Sequence, residues 1–185
     1  MVGYMAKLVI EQQKYKELYD EADSTYGIEK THGKGIIKFI LMQFIPKSLV
    51  DVGCGGNLFC ELIKGYGIKL DKPIERVAGV DFASNSKKDG IEFYQAFAHD
   101  LPFKDNEFDV LTSFDMLEHI LPEYIDETLD ELDRVSKIAM IFTISHRQVK
   151  RGLHNIVESE EWWENKLKKY GEIIRYQKFW IIKNG

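Results

Sequence analysis

A glycine-rich turn follows a short apolar strand in the segment from Ser48 to Asn57. Glycine is required where φ is positive or where a ligand lies against bare backbone. The N–H groups that open the next helix favour a ligand with negative charge. An NAD fingerprint would place a further glycine three residues after Gly55, where Leu58 stands, so the pattern argues against NAD. A βα turn without a ligand is the alternative interpretation.

Acidic and aromatic residues follow the ends of other predicted strands. Asp81 ends the second strand, where a carboxylate can accept hydrogen bonds from two ribose hydroxyls or simply cap a helix. Phe114 and Asp115 end the fourth strand. Ligands of doubly wound sheets bind at the carboxyl ends of the strands, so the spacing predicts that these residues share one cleft with residues 51–56.

Two segments carry a family resemblance. The Asp-x-Gly-x-Gly that begins at Asp51 resembles the first motif of class I S-adenosylmethionine (SAM) dependent methyltransferases. The Leu-Pro-Phe…Phe-Asp-Val within Ala98 to Val110 is similar to the small ubiquinone and menaquinone type of that family. The resemblance covers Ser48 to Ser145. It implies SAM as cofactor and methyl transfer to a small-molecule or glycan acceptor, with release of S-adenosylhomocysteine (SAH).

The resemblance also implies a cofactor site. The backbone of Ala98 or His99 would meet the adenine ring, and Phe82 would pack on its face or in the core. The position where the family often has an acid for the exocyclic amine is Phe97, so we assign that contact to Asp100. The predicted cofactor-binding residues are Asp51, Gly53, Cys54, Gly55, Asn57, Asp81, Phe82, Ala98, His99, Asp100, Ser113, Phe114 and Asp115.

Three histidines are candidates for a catalytic base near neutral pH: His119, His146 and His154. All three are also predicted substrate contacts, and a structural role is the alternative for His119. His32 and Lys34 stand among glycines that disfavour a helix, which suggests a close approach. We expect His32 or Lys34 to reach the SAM carboxylate or the acceptor, or else to open a flexible helix start.

The composition fits one domain spanning residues 1–185. The chain has 44% hydrophobic and 30% charged residues, and domains commonly hold about 100 to 200 residues. We assign residues 1–46 to N-terminal helices, 48–145 to the cofactor-binding core, and 146–185 to an acceptor-side loop, helix and hairpin. Two cysteines are too few for a disulfide framework or a zinc site, so free thiols and no metal are expected.

Apolar periodicity predicts an α/β fold. Alternating strands and helices followed by a hairpin indicate a doubly wound, mostly parallel seven-stranded sheet, Rossmann-like, with N-terminal capping helices and a C-terminal antiparallel hairpin. The predicted helices are 5–20, 31–44, 57–66, 122–135 and 158–170, and the predicted strands are 49–52, 76–81, 92–97, 108–114, 137–145, 172–176 and 179–182.

Charge and hydropathy limit the partners. The net charge of −5 disfavours broad nucleic-acid binding. No membrane-length apolar run or signal peptide is recognised, so a cytoplasmic location is expected. The alternatives are an RNA or other macromolecule methyltransferase, with Arg147, Lys150 and Arg151 as its footprint, and a SAM-binding module without catalysis.

Overall fold

A computed structural model describes residues 2–21, 31–84, 86–148 and 153–184 of the chain. Residues 22–30, which lie between the first two predicted helices, and two members of the basic cluster, Lys150 and Arg151, lie outside the described residues. The helices are α1 (Val2–Glu21), α2 (Ile37–Gln43), α3 (Leu58–Lys69), α4 (Ile125–Val135) and α5 (Glu160–Leu167), and the strands are β1 (Ser48–Val52), β2 (Arg76–Val80), β3 (Glu92–Tyr94), β4 (Phe108–Phe114), β5 (Ser136–Thr143), β6 (Glu172–Tyr176) and β7 (Phe179–Lys183).

The strands form one seven-stranded sheet in the order β3-β2-β1-β4-β5-β7-β6. Strands β1 to β5 pair in parallel, whereas β7 runs antiparallel to both β5 and β6. The predicted α/β class, parallel sheet and C-terminal hairpin are therefore confirmed. The strand order reverses between β1 and β4, and such a switch point opens a crevice at the carboxyl ends of the strands.

Apolar residues cover both faces of the sheet, as near-continuous apolar strands require. On one face, α4 and α5 contribute Leu129, Leu132 and Trp163 to a buried cluster. On the other face, α2 and α3 contribute Ile40 and Phe59. The two layers leave the carboxyl edge of the sheet as the place where polar groups from several strands meet.

The N-terminal segment approaches the core closely at Gly33. A Cβ at this position would lie 2.6 Å from a ring carbon of Phe59 and 2.7 Å from one of Phe114. Gly35 is less restricted, since its Cβ would be 3.7 Å from Phe179. The glycine at position 33 is explained by packing against two aromatic rings, which fixes the neighbouring residue His32.

Strand β3 and helix α2 are shorter than the sequence predicted. Strand β3 ends at Tyr94, three residues before the predicted end, because its partner β2 ends at Val80, which pairs with Tyr94. The helix predicted from Thr31 begins instead with a 3-10 turn at Lys34–Ile36 and becomes α-helical at Ile37.

The Ser159 side chain caps α5, since it accepts a hydrogen bond from the Trp162 N–H. Cys54 and Cys60 are both buried, free thiols. Within the described residues, no helix combines the length and apolarity needed to cross a bilayer.

Candidate active site

A cavity of about 550 Å³ opens at the carboxyl ends of β1, β2 and β4. It brings together most of the predicted site residues: His32, Asp51, Gly53, Cys54, Gly55, Asp81, Phe82, Ala98, His99, Phe114, Asp115, His119 and His154. Helix α1 covers it with Leu8, Glu11 and Tyr15. The predicted convergence on one cleft therefore matches the geometry.

The turn after β1 is held in place by its neighbour β2. The N–H groups of Gly53 and Cys54 both donate to the Val80 carbonyl, at 2.8 and 3.0 Å. Gly53 and Gly55 adopt positive φ values of 78° and 49°, which glycine allows without strain. The backbone of the turn thus borders the cavity in a fixed conformation.

Asp81 joins this turn to the loop that follows β2. Its Oδ2 accepts a hydrogen bond from the Gly55 N–H at 2.9 Å. Its Oδ1 accepts from the N–H groups of Ala83 and Ser84, at 2.9 and 2.7 Å. The side chain is nearly buried and still borders the cavity. Asp81 therefore shapes the site as well as facing it.

Asn57 lies behind the turn and outside the cavity lining. It has a left-handed φ of 61° and donates from Nδ2 to the Ser86 carbonyl at 2.7 Å. The side chain occupies the space beside Gly79 of β2, where a Cβ would collide with its Oδ1 and would lie 2.8 Å from Cys54 Sγ. Asn57 supports the turn from behind.

Asp51 is a buried carboxyl at the end of β1. It accepts a hydrogen bond from the Thr112 hydroxyl at 2.7 Å. Burial raises its pKa to about 7, with a further contribution from the charge of Asp81. The carboxyl lines the cavity, so a cationic group there would stabilise its ionised form.

Aromatic residues form one wall of the cavity. Phe82 lies 5.5 Å from Tyr15 and 5.7 Å from Phe97, between ring centroids. His99 stacks between Phe97 at 5.4 Å and Tyr124 at 4.7 Å. Flat apolar faces of this kind suit a heterocyclic base, with Ala98 on the same wall.

Another part of the cavity lining consists of Glu118, His119 and His154. Glu118 is fully buried, and burial raises its pKa to about 7. Its Oε1 accepts the Ser145 N–H at 2.9 Å. Burial lowers the pKa of His119 to about 4, so its imidazole is neutral near pH 7. Glu118 was missed in the sequence analysis, because its burial depends on contacts with a segment more than 30 residues away.

His32 reaches the cavity rim, where its Nδ1 forms an ion pair with Asp115. The hydrogen bond with Asp115 raises the pKa of His32. Burial pushes the pKa of Asp115 upward, but hydrogen bonds from His32 and the Thr143 hydroxyl outweigh burial, so it falls below its usual value. This pair links the N-terminal segment to the end of β4.

Other predicted site residues lie away from the cavity lining. Lys34 and Asp100 are exposed, and Ser113 is buried within β4. His146 points elsewhere, since its Nδ1 lies 3.1 Å from the Glu158 carbonyl and its Nε2 lies 3.9 Å from Glu160. Histidines 119 and 154 are therefore the two of the three base candidates that border the cavity.

Comparison with known proteins assigns the chain to a family. Residues 50–142, half of the chain, match the model of a family described as a methyltransferase domain. This chain belongs to the methyltransferase domain family. The matched range runs from β1 to β5 and contains the turn, Asp81 and the residues that follow β4, as the resemblance in the sequence predicted.

Curated methyltransferases of the menaquinone type are similar to this family member. The demethylmenaquinone methyltransferase of Staphylococcus carnosus (strain TM300) is 33% identical over 152 residues, which are 72% of this chain and 60% of the relative. The enzyme of the same name from Staphylococcus saprophyticus is 33% identical over 133 residues, or 64% of this chain and 53% of the relative. The chain therefore spans less than two thirds of the length of either relative.

Solved methyltransferase structures share the fold. Magnesium protoporphyrin IX methyltransferase from Synechocystis PCC 6803, with bound SAH, superposes with a TM-score of 0.70 at 12% identity and covers 95% of this chain and 100% of that one. A Burkholderia thailandensis 1,6-didemethyltoxoflavin-N1-methyltransferase gives a TM-score of 0.71 at 12% identity, covering 97% and 89% of the two chains. At these identities the likeness concerns the fold.

Proposed function

We propose that this methyltransferase family member binds SAM in the cavity and transfers its methyl group to a small-molecule acceptor, releasing SAH. The observation that carries the proposal is one cavity lined by two chemically different groups of residues, which we call its cofactor end and its acceptor end. One end has the bare turn and Asp81, and the other has Glu118 and two histidines. The similar proteins are methyltransferases named for demethylmenaquinone, magnesium protoporphyrin IX and 1,6-didemethyltoxoflavin, which are small molecules, and this supports the same assignment.

The cofactor end offers groups that fit each part of SAM. The turn at Gly53 to Gly55 brings backbone close to the ligand, and Asp81 lies beside it for the ribose. The wall that contains Phe82 and Phe97 suits adenine. The buried Asp51 carboxyl, whose pKa is raised by burial, would be stabilised by the ammonium of the methionine part.

The acceptor end supplies orientation and a proton acceptor. When bound, SAM supplies a methyl group activated by a sulfonium. The chain must hold the acceptor in line with that methyl group and take up the acceptor's proton where one is lost. The imidazoles of His119 and His154 and the Glu118 carboxyl are the titratable groups that we assign to this task. Hydroxyls of phenols, quinols and glycans are the acceptors that we propose to screen.

Calorimetric titration with SAM, SAH and NAD tests the cofactor assignment. We expect SAM and SAH to bind with one site per chain and NAD to show no saturable heat. Binding of NAD without SAM would overturn the proposal. A screen that measures SAH release over phenols, quinols, sugars and RNA identifies the acceptor, and we expect turnover with a small molecule.

A further inference from the structure

We propose that Glu118, His119 and His154 bind a divalent transition-metal ion at the acceptor end of the cavity. The sequence analysis expected no metal, and His154 lies far along the chain from the adjacent Glu118 and His119. In the structure, one potential ligand atom from each residue lies within 4.8 Å of the other two. All three residues line the cavity, so an ion could enter from it.

The carboxyl of Glu118 has an unused oxygen. The side chain is fully buried, and while Oε1 accepts the Ser145 N–H, Oε2 has no hydrogen-bond partner among the described residues. Leaving a buried carboxyl oxygen unpaired is costly, so such an atom in a folded protein calls for an explanation. A cation bound at Oε2 supplies the missing partner.

Both histidines place Nδ1 beside a backbone carbonyl. Nδ1 of His119 lies 3.0 Å from the Leu153 carbonyl, and Nδ1 of His154 contacts the Arg147 carbonyl. A carbonyl oxygen only accepts hydrogen bonds, so a ring that donates from Nδ1 to its carbonyl leaves Nε2 as the nitrogen that can bind a metal. Nδ1 of His119 also lies 2.7 Å from the Tyr15 hydroxyl, which can accept from the same N–H. Histidines that bind metal through one nitrogen usually donate the other N–H in this way.

The backbone holds the ligands at these positions. The N–H groups of Asn155 and Ile156 donate to the Glu118 carbonyl at 2.8 and 3.0 Å. The Asn155 side chain donates to the His119 carbonyl at 2.7 Å. These bonds fasten the segment that carries His154 to the turn that carries Glu118 and His119. Little rearrangement is therefore needed to contract the three ligands around an ion.

The ligand set indicates the class of metal. Two imidazoles and one carboxylate are typical of catalytic Zn²⁺ and of non-haem Fe²⁺ sites with open positions, whereas Mg²⁺ prefers oxygen ligands. An open position toward the cavity could bind an acceptor hydroxyl and promote its ionisation. With Glu118 and both histidines bound to the ion, these groups would orient the metal instead of taking up the proton. The O–H proton would then pass to solvent, and the oxygen would bond the methyl carbon as the C–S bond breaks with its electron pair left on sulfur. This role rests on the proposed function, but metal binding does not.

The test uses the full chain after removal of metals with a chelator. Equilibrium dialysis against Zn²⁺ is expected to give one bound ion per chain, and added Co²⁺ should produce visible d–d absorption. We expect His154→Ala and Glu118→Gln each to weaken Zn²⁺ binding at least about tenfold. His146→Ala, which removes a histidine outside the cavity lining, should bind Zn²⁺ like the unaltered chain.

Two further measurements keep the result decisive. Urea unfolding of every variant shows whether it is folded. If His154→Ala does not fold, Zn²⁺ binding by the near-isosteric Glu118→Gln tests the metal site. Equal Zn²⁺ binding by the unaltered chain and a folded Glu118→Gln variant would overturn the metal site. SAM titration of the same samples separates the two proposals, since loss of SAM binding with intact Zn²⁺ binding contradicts only the proposed function.

Discussion

The two ends of the cavity are built differently. At the cofactor end, main-chain groups and Asp81 satisfy one another within the 34 residues from Asp51 to Ser84. At the acceptor end, side chains from segments more than 30 residues apart meet, and Glu118 has a buried oxygen without a partner in the part of the chain that the structure describes. The cofactor end is preformed by its hydrogen bonds, whereas the acceptor end buries a polar atom at a cost in free energy. Such a state is typical of sites that act on a ligand.

Replacing Asp81 should damage the cofactor end most severely. Asp81→Ala removes the acceptor of three backbone N–H groups, and hydrogen bonds to a charged group contribute about 1.5 to 3 kcal/mol each. We expect the free energy of unfolding to fall by about 3 kcal/mol or more. We also expect SAM affinity to fall at least about tenfold, equivalent to about 1.4 kcal/mol. Urea unfolding and calorimetry measure the two effects.

Asp81→Asn is the matched control for that experiment. Its amide oxygen can still accept from the Ala83 and Ser84 N–H groups, while its NH₂ group faces the Gly55 N–H. A smaller loss of stability than in the alanine variant is expected, together with weakened SAM binding. Unchanged SAM affinity in both variants would place the ribose elsewhere.

Removing the Glu118 charge at the acceptor end should raise the free energy of unfolding, whereas replacing Asp81 lowers it. Burial raises the pKa of Glu118 from its ordinary value near 4.5 to about 7. As pH rises through this window the unfolded chain releases the proton first, so this group makes the metal-free protein less stable. Relative to the unaltered chain, Glu118→Gln should therefore gain about 1 to 3 kcal/mol between pH 4.5 and pH 8.

Urea unfolding in the presence of a chelator checks this expectation at both pH values. Comparing the variant with the unaltered chain cancels groups that both share, including Asp51, whose raised pKa acts in the same direction. A stability difference that stays constant across the pH range would show that the Glu118 carboxyl is not protonated preferentially in the folded chain.

The smallest effect is expected at the rim, between the two ends. The pKa of His32 is raised by its hydrogen bond with Asp115, so this pair stabilises the fold below about pH 6.5 and loses its effect as pH rises through the higher folded pKa. The two side chains are 54% and 29% exposed, so His32→Gln should cost less than about 1 kcal/mol at pH 6.

The difference between the variant and the unaltered chain should vanish at pH 9. Lys34→Gln, an exposed position on the same segment, serves as the control and should lack this pH dependence. Urea unfolding at pH 6 and pH 9 measures both variants. An equal loss at the two pH values would show that His32 acts by packing and not through its charge.

The fold was largely predictable because its signals are local. Apolar runs predicted β1, β2, β4 and β5. The short link between β6 and β7 predicted the antiparallel pairing of those two strands. Strand β3 was overpredicted, since its length depends on where its neighbour β2 ends and not on its own residues. The start of α2 was also misplaced, because the residues before it follow the packing of Gly33 against aromatic rings.

The candidate site was predictable only where the motif is contiguous. The turn residues and Asp81 follow directly from strand ends. By contrast, the aromatic wall pairs Phe97 with Phe82, and the acceptor end pairs Glu118 with His154, across distances that no spacing rule connects. His146 and Asp100 were predicted as site residues from their positions at a strand end and in a loop, and neither lines the cavity. The direction of a loop side chain is set by tertiary contacts, which the sequence does not show.

The contact between Asn57 and Gly79 has an evolutionary consequence. One small volume between the first turn and the second strand is filled from the turn side by Asn57 and Cys54, which leaves no room for a side chain at position 79. Substitutions at positions 57 and 79 are therefore coupled. Homologues with glycine at position 57 should tolerate alanine at position 79 more readily than this chain does. In an alignment of homologues, the residues at positions 57 and 79 should therefore covary.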